Sequence, residues 1–194
     1  ELLLHDAVGE AGALLLLPRL HGGGLAFLQR VGLPDLELGA MADEGHRVRD
    51  PGNLGTIIRT ADAAGASGVI LVGDCTDPFS LETVRATMGS VFATPVARAS
   101  VEEFLSWKKS ANVSVVATHL AGSVDYRKID YAGKPVVLLM GNEQSGLPPE
   151  LAGKADQLAR IPQQGRADSL NLAIATAVML FEARRHLLEL TPVK

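Results

Sequence analysis

Three short stretches gather polar side chains around glycine and proline, and each could serve chemistry. In the first, Asp50-Pro51-Gly52-Asn53 is a turn that opens a helix, and Arg59 follows about one and a half helical turns later. An Asn there can cap the helix, and an Arg can grip a carboxylate or phosphate through two parallel hydrogen bonds. In the second, Gly141-Asn142-Glu143-Gln144-Ser145-Gly146-Leu147-Pro148 directly follows an apolar run. Glycine permits close backbone approach, and Glu143 can bring a carboxylate to a ligand's polar edge. The stretch is no phosphate loop, because Gly-x-x-x-x-Gly-Lys is absent. Nor is it a nucleophile elbow, because Glu143 stands where Gly-x-Ser-x-Gly requires glycine. In the third, Ile161-Pro162 leads through Arg166 to Asp168-Ser169-Leu170-Asn171. Asp168 or Ser169 can cap the helix that follows, whereas Asn171 falls in its first turn and needs a hydrogen-bonding partner. Each stretch also has a plain structural reading, as a capped helix or a glycine-rich turn.

The elements that must position these stretches alternate. A helix from Leu54 to about Ala64, opened by Asn53 and ended by Gly65, carries Leu54, Ile57, Ile58 and Ala61 on one face. Val69–Val72 is a continuous apolar strand. Ser80 caps a helix bearing Leu81, Val84 and Met88, and a short strand covers Thr94–Ala97. Ser100 with Glu103 forms a capping box for a helix over Val101–Lys108. Val113–Thr118, Val136–Met140 and Leu158–Ile161 read as further strands. The last helix runs from about Ser169 to Leu190, with Leu170, Ile174, Ala177, Val178 and Phe181 expected to face inward. Unbroken apolar strands between helices predict an α/β fold, a parallel sheet covered on both faces. Ligands of such sheets bind beyond the carboxyl ends of the strands, where the three polar stretches fall.

Composition narrows the possibilities. The chain has 194 residues, 47% of them hydrophobic, enough for one domain with a core. No apolar run is long enough to span a bilayer, and no signal peptide is expected. A single cysteine, Cys75, excludes a disulfide framework and suggests the reducing cytoplasm. The five histidines show no metal-ligand spacing, so no metal is expected. A net charge of −4 and only 4% aromatic residues leave little for an electrostatic coat or a stacking platform. Between Gly32 and Arg49 the pattern is weak, Ala40–His46 is a poor strand, and a domain boundary is expected near residues 35–46.

Taken in order, the stretches Asn53-Leu54-Gly55 with Arg59 and Asp62, Gly141-Asn142-Glu143 with Gly146-Leu147, and Ile161-Pro162 with Ser169-Leu170-Asn171 make the chain resemble the SpoU-type (TrmH-like) RNA ribose 2′-O-methyltransferases of the SPOUT superfamily. The resemblance covers about residues 47–190. It implies a SPOUT-type parallel sheet whose C-terminal part forms a trefoil knot, a homodimer, and S-adenosylmethionine as cofactor. On this basis residues 41–194 are the methyltransferase domain, and 1–40 are at most the remnant of a substrate-binding domain. It further implies a polar catalytic cluster of Asn53, Arg59, Glu143, Ser169 and Asn171. Cofactor contacts are implied from Gly141, Ile161, Leu170 and Asn171, with Thr118 bordering the pocket.

The implied partner is rRNA or tRNA, whose 2′-hydroxyl is the group DNA lacks. Arg47, Arg49, Arg59 and Arg166 lie in or beside the polar stretches and can supply local positive charge. A guanidinium has five donors and no acceptor, so Arg59 is expected to bind a phosphate and stabilise a developing alkoxide rather than take its proton. The alternative is a non-catalytic RNA-binding module that keeps the fold. It would not bind the cofactor.

Overall fold

Strands without a polar residue can be satisfied only inside a sheet that is covered on both sides. Val69–Val72 and Val136–Leu139 are buried at every position, as that rule requires. The computed structural model describes residues 36–41, 50–73, 75–119, 124–141, 147, 149–166 and 169–189. Within them seven strands form one sheet: β1 (Leu36–Met41), β2 (Val69–Val72), β3 (Val96–Ala99), β4 (Ser114–Thr118), β5 (Val124–Asp125), β6 (Val136–Leu139) and β7 (Gln157–Arg160). Their order is β3-β2-β1-β6-β4-β7-β5, and every pairing is parallel.

Alternate strand residues feed two cores. Val69 and Leu71 of β2, Val116 of β4, and Val136 and Leu138 of β6 pack with helices α1 (Pro51–Ala63) and α5 (Leu172–Ala183). Ile70, Val72, Val115, Ala117, Val137 and Leu139 pack on the opposite face with Phe104 and Trp107 of α3 (Val101–Ala111) and Leu151 of α4 (Pro149–Ala152). The remaining helix, α2 (Leu81–Thr87), lies against α1. That contact is close: a Cβ on Gly55 would sit 2.4 Å from Ala86 Cβ and 2.7 Å from the Thr83 carbonyl oxygen.

Several sequence expectations shift. Asp50, not Asn53, caps α1, its carboxylate accepting from the Gly52 and Asn53 amides at 2.7 and 3.3 Å. Pro51 then occupies the first helical turn, where its missing N–H costs nothing. The third strand starts at Val96, because the Thr94 amide donates to the Ser90 carbonyl and holds Thr94 in the preceding turn. Asn171 itself caps the last helix, which begins at Leu172 and not near Ser169; Asp168 lies outside the described residues. Ile174 and Phe181 face outward, 53% and 47% exposed. The inward stripe of α5 is Leu172, Ala173, Thr176, Met179 and Leu180. A helix apolar on all sides leaves periodicity no polar face to read. β1 ends within the weak stretch from Ala40 to His46, taking in Ala40 and Met41, and residues 42–49 are outside the described ones. The capping box of Ser100 and Glu103 is present as expected.

Gly55→Val should lower the melting temperature, since the added carbons meet Ala86 and the α2 backbone. Overpacking of this kind costs about 1–3 kcal/mol, and thermal denaturation followed by circular dichroism measures it.

Candidate active site

α1 and α5 bring two of the three stretches together. Both helices pack on the same sheet face and start at the same end. Asn171 uses both halves of its amide there: Oδ1 accepts from the Ile174 amide at 3.2 Å and Nδ2 donates to Asn53 Oδ1 at 3.1 Å. The two asparagines are 118 positions apart in the chain. Because Asp50 caps α1, the Asn53 side chain is available for this bond.

The strand ends supply the rest. β6, β4 and β7 are adjacent, and Gly141, Thr118 and Ile161 lie at or just past their carboxyl ends. All three are half-buried, as is Leu170. Thr118 Oγ1 approaches Met140 Sδ at 3.6 Å, tying the end of β4 to that of β6. The His119 amide donates to the Ala159 carbonyl at 3.0 Å, carrying the ladder one residue past β4. The order of the sheet reverses here: the chain runs outward from β1 through β2 to β3, then returns to β4 on the other side. Crevices at such reversals are where α/β sheets bind ligands.

The other expected residues are placed differently. Arg59 is exposed on α1 and makes no hydrogen bond or ion pair among the described residues. It stands six positions after Asn53, so the two side chains leave the helix about 120° apart. Ser169 is exposed, two residues before the Asn171 cap. Glu143 lies outside the described residues, as do Asn142 and Gln144–Gly146. Asp50 was missed as a helix cap, although an Asp directly before a Pro at a helix start is a recognisable signal. At the end of the edge strand β5, Asp125 is held at about 2 by hydrogen bonds from the Arg127 guanidinium and amide. With its pKa depressed, that pair persists at neutral pH and is lost only as the pH falls toward 2, so Asp125 is no general base. Burial pushes the Tyr131 phenol up, and its hydroxyl donates to the Tyr126 carbonyl at 2.8 Å. Among the described residues no three His, Cys, Asp or Glu side chains could hold a metal ion, and no helix is long and apolar enough to cross a membrane.

Comparison with known proteins agrees with this geometry. Residues 46–181 match the model of the SpoU rRNA Methylase family. The chain belongs to that family. It is 39% identical over 137 residues to the Bacillus subtilis 23S rRNA (guanosine(2553)-2′-O)-methyltransferase RlmP, covering 71% of this chain and 55% of that protein. A crystal structure of an AdoMet-bound rRNA methyltransferase from Sinorhizobium meliloti superimposes with a TM-score of 0.75 at 73% identity, over 81% of this chain and 59% of that one. The SpoU methyltransferase AviRb from Streptomyces viridochromogenes, in complex with the cofactor AdoMet, gives a TM-score of 0.71 at 34% identity, over 82% and 64% of the two chains. The chain thus spans about half the length of the sequence relative it matches.

Asn171→Asp keeps the oxygen that caps α5 and removes the amide that reaches Asn53. Its melting temperature should stay near that of the wild type, while Asn171→Ala should lose about 1 kcal/mol from the missing cap. Thermal denaturation of the pair checks this.

Proposed function

We propose that this chain is an S-adenosylmethionine-dependent RNA methyltransferase, moving a methyl group to a ribose 2′-hydroxyl of rRNA or tRNA. The observation that carries it is the 3.1 Å bond from Asn171 to Asn53, which joins two stretches of the family pattern beside the strand ends. The relatives' activities point the same way. The rival reading, an RNA-binding module without catalysis, requires that the chain bind no S-adenosylmethionine, which calorimetry with the cofactor tests.

The residues present fit the cofactor. Thr118, Gly141 and Ile161 are half-buried at three adjacent strand ends, and Leu170, just ahead of the Asn171 cap, is half-buried too. They offer backbone hydrogen-bonding groups for the polar parts of a nucleoside and apolar side chains for its base. When bound, S-adenosylmethionine supplies an electrophilic methyl on a sulfonium. The protein's task is then to raise the reactivity of a poor nucleophile. Arg59 binds the phosphate next to the target ribose and stabilises the oxygen as its proton passes to solvent water. Asn53, whose Oδ1 accepts from Asn171, orients the ribose or Arg59. Ser169, Asn171 and Glu143 hold the polar groups of the pocket in place.

Family membership also supports a trefoil knot in the C-terminal part and a homodimer in the cytoplasm. A second copy would cover Ile174 and Phe181, which stand one heptad apart on the outer side of α5.

Mapping of 2′-O-methylation in total RNA from cells with and without the gene tests the activity; an unchanged map defeats it. With an RNA substrate in hand, Arg59→Ala should lower methyl transfer by about 100-fold or more with little change in S-adenosylmethionine affinity, read by single-turnover kinetics and calorimetry. For the dimer, Ile174→Asp with Phe181→Asp should convert a two-fold assembly to monomers in sedimentation velocity.

A further inference from the structure

α1 and α5 are joined at both ends, and only one join belongs to the site described above. At the far end, the Nε of Arg184 donates to the Ala64 carbonyl at 3.1 Å. Arg184 follows α5 as its C-terminal cap residue, and Ala64 does the same for α1. The carbonyls that end a helix have no partner within it and carry its negative partial charge. A guanidinium there is favoured on both counts. Arg184 is only 7% exposed, which is rare for an arginine on a surface helix. The backbone makes room for it. Gly65, with φ +67°, ends α1 in the left-handed region, and a Cβ on it would lie 3.2 Å from Arg184 Nη2.

The two helices are therefore parallel, 13 and 12 residues long, and fastened to each other at each end. One fastening is Asn171 to Asn53; the other is Arg184 to Ala64. Between the two fastenings, Ile57, Ile58 and Ala61 of α1 and Ala173, Met179 and Leu180 of α5 share one buried core, which carries no further directional bond between the helices among those given above. A slip of one helix along the other by half a turn, about 2.7 Å, would stretch a 3.1 Å bond running across between them to about 4.1 Å, beyond its useful range.

We propose that Arg184 is a positioning residue: by fixing α5 to the end of α1, it sets the register in which Asn171 meets Asn53. It touches neither substrate nor cofactor and acts through the helix pair. The proposal rests on the methyltransferase reading only for its kinetic consequence.

The test uses the full chain labelled with ¹⁵N-asparagine, the Asn171 side-chain amide being assigned by its disappearance in Asn171→Asp. In Arg184→Gln that resonance should shift or broaden. Single-turnover methyl transfer to RNA from cells lacking the gene should fall about tenfold, with S-adenosylmethionine affinity within about twofold. Arg184→Lys keeps the charge and should recover part of both effects. Val115→Ala, buried in β4 on the sheet face away from α1 and α5, is the control for lost stability: it should lower the melting temperature and leave the Asn171 resonance in place. An unmoved resonance in Arg184→Gln, or an equal shift in Val115→Ala, overturns the proposal. Should Arg184→Gln fail to fold, Arg184→Met, which keeps the apolar stem and drops every donor, decides, and a wild-type resonance and rate there overturn the proposal. The resonance is read without RNA. An absence of methyl transfer by the wild-type protein would instead count against the function.

Discussion

Everything at the candidate site turns on how one side-chain amide is oriented. The first turn of α5 has backbone N–H groups without helical partners, and the Asn171 oxygen answers one of them. That fixes which end of the amide is oxygen and which is nitrogen. The nitrogen is left pointing across to α1, where it meets the Asn53 oxygen. A residue with one such group could cap the helix or reach its neighbour, but not do both. Serine caps equally well and has too short a reach. Aspartate caps and has no donor. The pairing thus explains why asparagine stands at this point, in terms that need no catalytic role.

The same logic moves back to α1. Two residues of that turn, Asp50 and Asn53, are both good helix caps. Asp50 takes the position, supported by Pro51 at the start of the helix, and Asn53 enters the helix with its Oδ1 accepting from Asn171 of α5. Had Asn53 been the cap, its oxygen would have been directed at its own backbone and the two helices would have lacked this link. Behind both helices lies the sheet, whose alternating residues serve one core beneath α1 and α5 and another beneath α3 and α4. Burial on that scale fixes where the strand ends fall. The half-buried Thr118, Gly141 and Ile161 gain their proximity from register, not from contact with one another.

The readable part of this fold was the part governed by local rules. Runs such as Val69–Val72 and Val136–Leu139 declare buried parallel strands, and Ser100 with Glu103 declares a capping box. The three polar stretches were legible as a set because their order is specific, and the family match over residues 46–181 follows it. What was not legible depended on competition between near-equals. Asp50 and Asn53 are both competent caps. Asn171 looked like an internal helical residue because Asp168 and Ser169 offered earlier starts. Ile174 and Phe181 are as apolar as the residues that α5 buries, so nothing in their type says which side faces the sheet. The partnership of Arg184 with Ala64 joins residues 120 positions apart and has no signature in sequence at all.

A chain of net charge −4 is an unlikely partner for a polyanion only if charge is taken as uniform. The parallel course of α1 and α5 places two helix N-termini side by side, each carrying positive partial charge, at the end where Asn53 and Asn171 meet. Asp50 offsets part of that field, while Arg166, on the loop that leads into α5, and Arg59 on α1 are exposed and add to it. At the opposite end Arg184 sits on the helix carbonyls and neutralises the negative poles. The helix pair is thus polarised along its length, positive at the proposed site and quenched at the far end. Positive partial charge at one end of the helix pair favours an anion there in spite of the net charge of −4, and salt weakens such an attraction.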